Sequence, residues 1–111
     1  MMNQRCVMLV VALATVGTAA SSLAANLDAG KAKATEVCAA CHGLDGNSTA
    51  PDFPKLAGQH HDYLAKALRD YKSAQRKNAI MEGFAAALTK EDIENLAAYY
   101  AAQPAVLSAK Y

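Results

Sequence analysis

Cys38-Ala39-Ala40-Cys41-His42 is the stretch of the sequence that decides its fold. Two cysteines three positions apart, followed directly by a histidine, form the attachment signature of a c-type haem. Because Cys38 and Cys41 lie about one helical turn apart, both sulfurs can reach the two vinyl groups on one edge of a haem. The same short turn carries His42 to the iron as its proximal ligand. The motif occurs once and therefore predicts one covalent haem c.

Two other kinds of site use the same residue types. A redox Cys-x-x-Cys of the thioredoxin kind lies near a βαβ pattern, and no run of this sequence alternates with period two. A structural zinc site needs four ligands, and only His60 and His61 remain as further histidines. Neither alternative has the sequence context that it requires.

The N-terminal stretch has the organisation of a secretory signal peptide. Arg5 precedes an apolar run over residues 7–16, and small residues follow over 17–22. An uncleaved membrane anchor is the alternative, but the run is shorter than the roughly 20 residues that span a bilayer. We expect residues 1–25 to be a cleaved signal, with cleavage after Ala24 or Ala25, and residues 26–111 to form the mature domain. The mature domain is then exported to a bacterial periplasm without stable membrane insertion.

Signal cleavage changes both the cysteine count and the charge. It removes Cys6, so the motif uses both remaining cysteines. It also removes Arg5, which lowers eleven Lys and Arg to ten against ten Asp and Glu. A balanced charge argues against a nucleic-acid partner, because such proteins usually carry a basic excess. A domain of this size has a marginal core, and a buried haem would add apolar bulk to it.

The first half of the mature domain reads as a helix followed by a loop. Residues 28–39 are rich in alanine and lysine, which favour helix, and Asp28 is the expected N-cap. Gly30 is unusual inside a helix, where glycine costs about 1 kcal/mol relative to alanine. Either a close helix crossing or a frayed first turn would account for it. Residues 43–58 contain glycine, proline and asparagine and are expected to form a loop.

The pattern of the second half predicts two further helices, separated by a segment whose secondary structure is ambiguous. Residues 60–74 place apolar side chains at three- and four-residue steps, whereas residues 75–88 suggest a loop and then a short helix. Thr89 and Asp92 resemble a capping box. The helix that they open should end near Gln103-Pro104. The fold class is therefore all-α.

The second axial ligand of the iron decides between a closed and an open site. Met81 is the one methionine that remains after signal cleavage. A thioether opposite histidine raises the reduction potential, as in electron-transfer cytochromes. An ordinary core methionine is one alternative, and ligation by His60 or His61 is another. The placement of the two histidines at the start of a polar-faced helix favours surface or capping roles for them.

Taken together, residues 28–103 resemble the class I cytochromes c. The likeness is to the small soluble bacterial cytochromes c553 and to a single half of the dihaem cytochromes c4. The resemblance implies a class I fold of about four helices around one haem c. The sequence departs from the dihaem kind by having one haem motif. The matching runs are Val37–Gly43, Asp45–Ser48, Phe53–His60, Tyr63–Lys66, Asp70–Lys72, Met81, Leu88, Asp92–Ile93 and Leu96–Tyr100.

The resemblance also implies a set of residues around the haem. The Pro54 carbonyl is expected to bind the second ring nitrogen of His42, which would fix the ring and raise its basicity. Phe53 and Leu56 are expected to line the haem pocket, and Leu96 belongs to the same predicted set.

Two further positions take expected roles from the resemblance. Gly30 and Tyr99 match a glycine and an aromatic residue that pack together between the first and last helices, and Tyr99 is also assigned to the pocket. Arg76 is a candidate partner of a haem propionate, because a guanidinium binds carboxylates bidentately. A solvated charge on a basic helix is the alternative for Arg76.

The predicted function is one-electron transfer in the periplasm by a monomer that docks transiently with redox proteins. A haem peroxidase-like enzyme and an electron-entry subunit of a larger oxidoreductase are the alternatives. Lys66, Arg69 and Lys72 could form a docking patch that steers partners. A solvated helix face is the reading that the balanced charge favours.

Overall fold

The computed structural model describes residues 24–106, and its regular structure consists of five helices. No strand occurs in this range, so the predicted all-α class is confirmed. The count exceeds the expected four because the haem motif forms a short helix of its own. All but the last two residues of the predicted signal peptide lie outside the described range. The helices are α1 (Leu27–Val37), α2 (Ala39–His42), α3 (His61–Lys72), α4 (Ala79–Ala86) and α5 (Lys90–Ala101).

The start of α1 differs from the prediction. Asn26, rather than Asp28, is the N-cap, and its side chain accepts a hydrogen bond from the Ala29 amide. Asp28 lies inside the first turn, where a carboxylate complements the positive end of the helix dipole. Both residue types suit a cap, and only the backbone conformation distinguishes them. Asn26 is extended, with φ −100° and ψ 112°.

The crossing of α1 and α5 is close enough to exclude a side chain at Gly30. A Cβ atom there would lie 2.2 Å from the backbone oxygen of Asn95 and 2.8 Å from Cβ of Tyr99. Asn95 is itself buried, and its Oδ1 accepts a hydrogen bond of 2.7 Å from the Asn26 amide. The glycine therefore belongs to a close crossing and not to a frayed turn.

The core lies where α1 and α3 pack against α5. The buried part of α3 is small, and α5 contributes most of the buried residues. Val37, Cys38, Leu56 and Leu68 pack against this core from its edge. Its buried members are Ala34, Leu64, Ala65, Leu88, Ile93, Leu96, Ala97, Tyr99 and Tyr100.

The ambiguous segment before α5 contains α4. Asn78 caps this helix by accepting hydrogen bonds from the amides of Ile80 and Met81. The helix packs mainly on α3, and Ala85 is its one buried residue. Within residues 24–106, no helix has the length and apolar character needed to cross a bilayer.

The predicted start of α5 is confirmed, because Thr89 and Asp92 form a reciprocal capping box. Thr89 Oγ1 accepts from the Asp92 amide at 3.0 Å, and the Asp92 carboxylate accepts from the Thr89 amide at 2.9 Å. The helix ends at Ala101, two residues before the expected Gln103-Pro104. Ala102 closes its last turn with a hydrogen bond to Ala98.

Loss of this cap should destabilise the domain measurably. We expect Thr89→Ala to lower the free energy of unfolding by about 1 kcal/mol, the usual loss for an N-cap. The Thr89 amide holds the pKa of Asp92 below its ordinary value. The carboxylate contribution is therefore present above the unfolded pKa, about 3.9, and is lost as the pH falls through the lower folded pKa. Urea titrations of the wild type and Thr89→Ala at pH 7 measure the loss of the hydroxyl cap. Asp92→Asn, compared with the wild type at pH 7 and pH 3, measures the carboxylate contribution, and an equal difference at both pH values would contradict the role of Asp92.

Candidate functional site

A cavity of about 300 Å³ lies between the haem motif, the loop over residues 43–58 and helices α3, α4 and α5. His42 and Met81 both line it, as do Cys38 and Cys41. The other walls are predominantly apolar. They include Val37, Phe53, Leu56, Leu64, Leu68, Phe84, Ala85, Leu88 and Leu96.

The haem motif reaches the cavity through α2. Cys38 ends α1 and precedes α2, so Cys41 and His42 follow on a single helical turn. Both cysteines are free thiols, and burial raises the pKa of the Cys38 thiol to about 11. A thioredoxin-like site needs a thiolate at neutral pH, which this environment opposes. No group of three or more His, Cys, Asp or Glu in residues 24–106 is placed to hold a metal ion directly.

The ring of His42 is held in one orientation. It is only 7% exposed, and its Nδ1 lies 2.8 Å from the Pro54 carbonyl. Because a carbonyl can only accept, Nδ1 carries a proton, and Nε2 is the ring nitrogen that this bond leaves for another partner. Phe53 stands edge-on to the ring with 6.3 Å between centroids. The ring is thus held in one orientation with Nε2 available to bind a metal.

Closure of the loop over residues 43–58 places the Pro54 carbonyl. The Gly46 carbonyl accepts hydrogen bonds from the amides of Leu56 and Ala57, at 2.8 and 3.1 Å. Gly46 has φ +74°, and a Cβ there would meet the Ala57 nitrogen at 2.7 Å. The close approach of the two ends of the loop, at Gly46 and Ala57, therefore requires this glycine.

Two consecutive tyrosines of α5 form hydrogen bonds with the N-terminal end of the same loop. The Tyr99 hydroxyl donates to the Leu44 carbonyl at 2.7 Å, and the Tyr100 hydroxyl donates to the Gly43 carbonyl at 3.2 Å. These carbonyls directly follow His42. Burial raises the pKa of Tyr100 far above its ordinary value, so its hydroxyl remains a hydrogen-bond donor. The tyrosines thereby fix the exit from the haem motif.

The assignment of Tyr99 to the pocket is not matched by the structure. Its side chain packs against Gly30 and does not line the cavity, whereas Tyr100 does. Adjacent residues of a helix point about 100° apart, so only one of the two faces the cavity. Tyr100 is a cavity residue that the sequence reasoning missed. The sequence spacing that places Tyr100 on the same helix face as Leu96 and Ala97 would have indicated that it lines the cavity.

Met81 is half-buried on α4 and lines the cavity. The competing histidines do not line it. His60 is exposed, and His61 lies between Asp62, at 3.3 Å, and Glu94, at 3.2 Å. His61 thus lies beside two carboxylates and outside the cavity lining, and Met81 is the available ligand on the side of α4.

Arg76 lies at the rim of the cavity. Its guanidinium carbon is 5.0 Å from the centroid of the Tyr71 ring, and its Nη1 donates to the Tyr63 hydroxyl at 3.3 Å. The side chain is exposed, so guanidinium protons remain for another acceptor. This position suits a carboxylate at the cavity mouth.

The three basic residues of α3 all have partners within the chain. Lys66 pairs with Asp70, Arg69 pairs with Glu94 at 2.9 Å, and Lys72 donates to the Ala86 carbonyl at 2.7 Å. The carboxylates offset the charges of Lys66 and Arg69, so of the three only Lys72, which is bonded to a neutral carbonyl, keeps an uncompensated charge. The arrangement favours a structural face over a dedicated docking patch.

The residues around the cavity fit a haem c. Two thiols about one helical turn apart, an imidazole bonded only through Nδ1 and a thioether share a predominantly apolar cavity. A histidine and a methionine are the axial ligands of cytochrome c haems, and thiols supply the covalent tether. The donor set thus contains each group that a covalent His/Met haem site requires.

Comparisons with known proteins agree with this chemistry. The family model described as Cytochrome c matches residues 27–102. A cytochrome c4 of Thiocapsa roseopersicina is 50% identical over 86 residues, covering 78% of this chain and 44% of that protein. A thiosulfate dehydrogenase electron acceptor of Stutzerimonas stutzeri (strain A1501) is 44% identical over 73 residues, covering 65% of this chain and 34% of that protein.

A solved structure gives the same result. The crystal structure of reduced recombinant cytochrome c4 from Pseudomonas stutzeri matches with a TM-score of 0.70 and 43% identity. The match covers 76% of this chain and 48% of that chain. The chain spans about half the length of the cytochrome c4 relatives that it matches.

Proposed function

The chain belongs to the cytochrome c family, and we propose that it is a periplasmic one-electron carrier with a His42/Met81 haem c. Cys38 and Cys41 would hold the haem through thioether bonds. The haem iron supplies a reversible one-electron redox centre. The remaining residues bind, orient and shield that centre.

The presence of both His42 and Met81 in the lining of one cavity carries this proposal. If His42 and Met81 both held the iron of a haem, no position would be left for a substrate at the metal. The Pro54 carbonyl keeps the His42 ring in place and strengthens Nε2 as a donor. Methionine ligation raises the reduction potential, which suits a carrier that accepts and releases single electrons.

The peroxidase-like alternative receives less support. An enzyme of that kind needs an acid or base beside the metal, and the two candidate histidines lie away from the cavity walls. The relatives are named as cytochromes c4 and as an electron acceptor of thiosulfate dehydrogenase. The same observations thus favour a carrier.

A second candidate function is the electron-entry subunit of a larger periplasmic enzyme. The thiosulfate dehydrogenase electron acceptor among the relatives supports it. In either setting the partners are redox proteins. Three apolar side chains of the cavity lining remain exposed and could contact such a partner: Tyr63 at 50%, Ile80 at 59% and Phe84 at 46%. We favour a monomer that docks transiently.

The axial ligand provides the direct test. The ferric wild-type holoprotein should show the weak far-red absorption band of a sulfur–iron bond. Met81→Ala should abolish that band and lower the reduction potential, because the thioether no longer favours reduced iron. His60→Ala is the matched control and should leave both unchanged. A wild type that lacks the band, or that binds peroxide readily, would contradict the carrier assignment.

A further inference from the structure

The helix that carries Met81 is weakly attached to the domain. Among its eight residues only Ala85 is buried, and α4 packs mainly on α3. Its large apolar side chains, Ile80 and Phe84, are 59% and 46% exposed. Elements with few buried apolar contacts open locally at a lower free energy than the rest of a fold. The contacts that hold α4 against the rest of the domain therefore determine how stably Met81 is positioned at the cavity.

Lys72 makes a bond that bridges the two helices. It lies in the last turn of α3, and its Nζ donates to the Ala86 carbonyl at 2.7 Å. Ala86 is the last residue of α4, where carbonyls lack partners within the helix. An ammonium group at this end also complements the negative pole of the helix dipole. The lysine of one helix thus caps the C-terminus of another.

The other polar contacts described for α4 are local. Asn78 caps its first turn, and Glu82 Oε1 accepts from the Asn78 amide at 3.1 Å. These bonds stabilise the helix but do not fasten it to anything else. In the described range, the Lys72 bond is the one hydrogen bond that joins a side chain of α3 to α4.

We propose that Lys72 is a positioning residue that holds α4 against α3 and thereby keeps Met81 at the cavity. The inference rests on the proposed His42/Met81 ligation. Met81 and Ala86 belong to the same short helix, so movement at its C-terminus is transmitted to Met81. Breaking the Lys72 bond should increase the fraction of time for which α4 is displaced.

The neighbouring basic residue provides a matched control. Lys66 lies on the same helix and pairs with Asp70, one turn away on α3. Lys66→Met therefore removes the same charge from the same helix without releasing α4. Methionine retains much of the apolar stem of lysine, which makes Lys72→Met and Lys66→Met comparable changes.

The test measures displacement of Met81 by imidazole in the ferric holoprotein. Stopped-flow loss of the far-red band at saturating imidazole reports the opening of α4. We expect Lys72→Met to raise this limiting rate about two- to fivefold, as suits loss of a cation at a helix C-terminus. Lys66→Met should match the wild type, and Lys72→Arg should remain closer to the wild type than Lys72→Met. The denaturant midpoint of global unfolding should change little.

Two results would overturn the inference while leaving the proposed function intact. One is an unchanged imidazole rate in Lys72→Met. The other is an equal acceleration in Lys66→Met, which would indicate an effect of charge alone. A wild type without the far-red band is a different outcome, because it removes the Met81 ligation itself and so refutes the proposed function.

Discussion

The double variant Cys38→Ala/Cys41→Ala is expected to lack covalent haem and to be largely unfolded. The two thiols are the cysteines that line the cavity, so no other tether remains there. Without the haem, the apolar walls of the cavity face one another across unfilled space. The packing that joins α4 to the rest of the domain would then be lost first, since Ala85 is its one buried residue.

The size of this effect follows from the cavity. Enclosed cavities in protein cores cost about 24 cal/mol per Å³, so a cavity of about 300 Å³ sets an upper bound on the order of 7 kcal/mol, because this cavity opens to solvent at its mouth. Domains are stable by only about 5–15 kcal/mol in total, and small domains lie at the lower end. The upper bound is therefore comparable to the whole stability of the fold.

Far-ultraviolet circular dichroism of the purified variant measures the outcome. We expect most of the helical signal to be absent, whereas the wild-type holoprotein should be strongly helical. Cys6→Ala is the control, because Cys6 lies in the predicted signal peptide and should not affect haem attachment. Native-like helicity and cooperative urea unfolding of the double variant, without any haem absorbance, would contradict the dependence of the fold on the cofactor.

The features of the site and of the fold that could be predicted from the sequence depend on residues close together along the chain. The spacing of Cys38, Cys41 and His42 follows from one helical turn, and the structure places Cys38 at the N-cap of α2 and the other two residues within it. The capping box of Thr89 and Asp92 is equally local, since both bonds close within four residues.

The parts that sequence did not predict depend on contacts between distant segments. Tyr99 and Tyr100 are adjacent and chemically alike, and only the crossing with α1 determines which one faces the cavity. The partner of Lys72 is 14 residues away on another helix. Asp28 and Asn26 are both good caps, and the structure has the cap at Asn26, whose amide also donates to the distant Asn95 side chain. Hydrophobic periodicity identifies the buried face of a helix but not the segment that packs against that face.

Gly30→Ala is expected to destabilise the holoprotein by about 3 kcal/mol or more, near or beyond the upper range for inserting a methyl group into a packed site. The added Cβ would lie 2.2 Å from the Asn95 oxygen, which belongs to the backbone of α5 and cannot rotate away. The helices must therefore separate. Helix propensity alone predicts the opposite, because alanine is favoured over glycine by about 1 kcal/mol.

Gly83→Ala separates these two effects. Gly83 lies within α4, and a Cβ there would meet no atom within 4 Å. The substitution should therefore stabilise the protein by up to about 1 kcal/mol through propensity and a less flexible unfolded chain. Urea titrations of both holoproteins should give changes of opposite sign. Stabilisation by Gly30→Ala would mean that α1 and α5 do not cross as described. The same substitution thus has opposite effects in two helices because only Gly30 lies at a backbone contact.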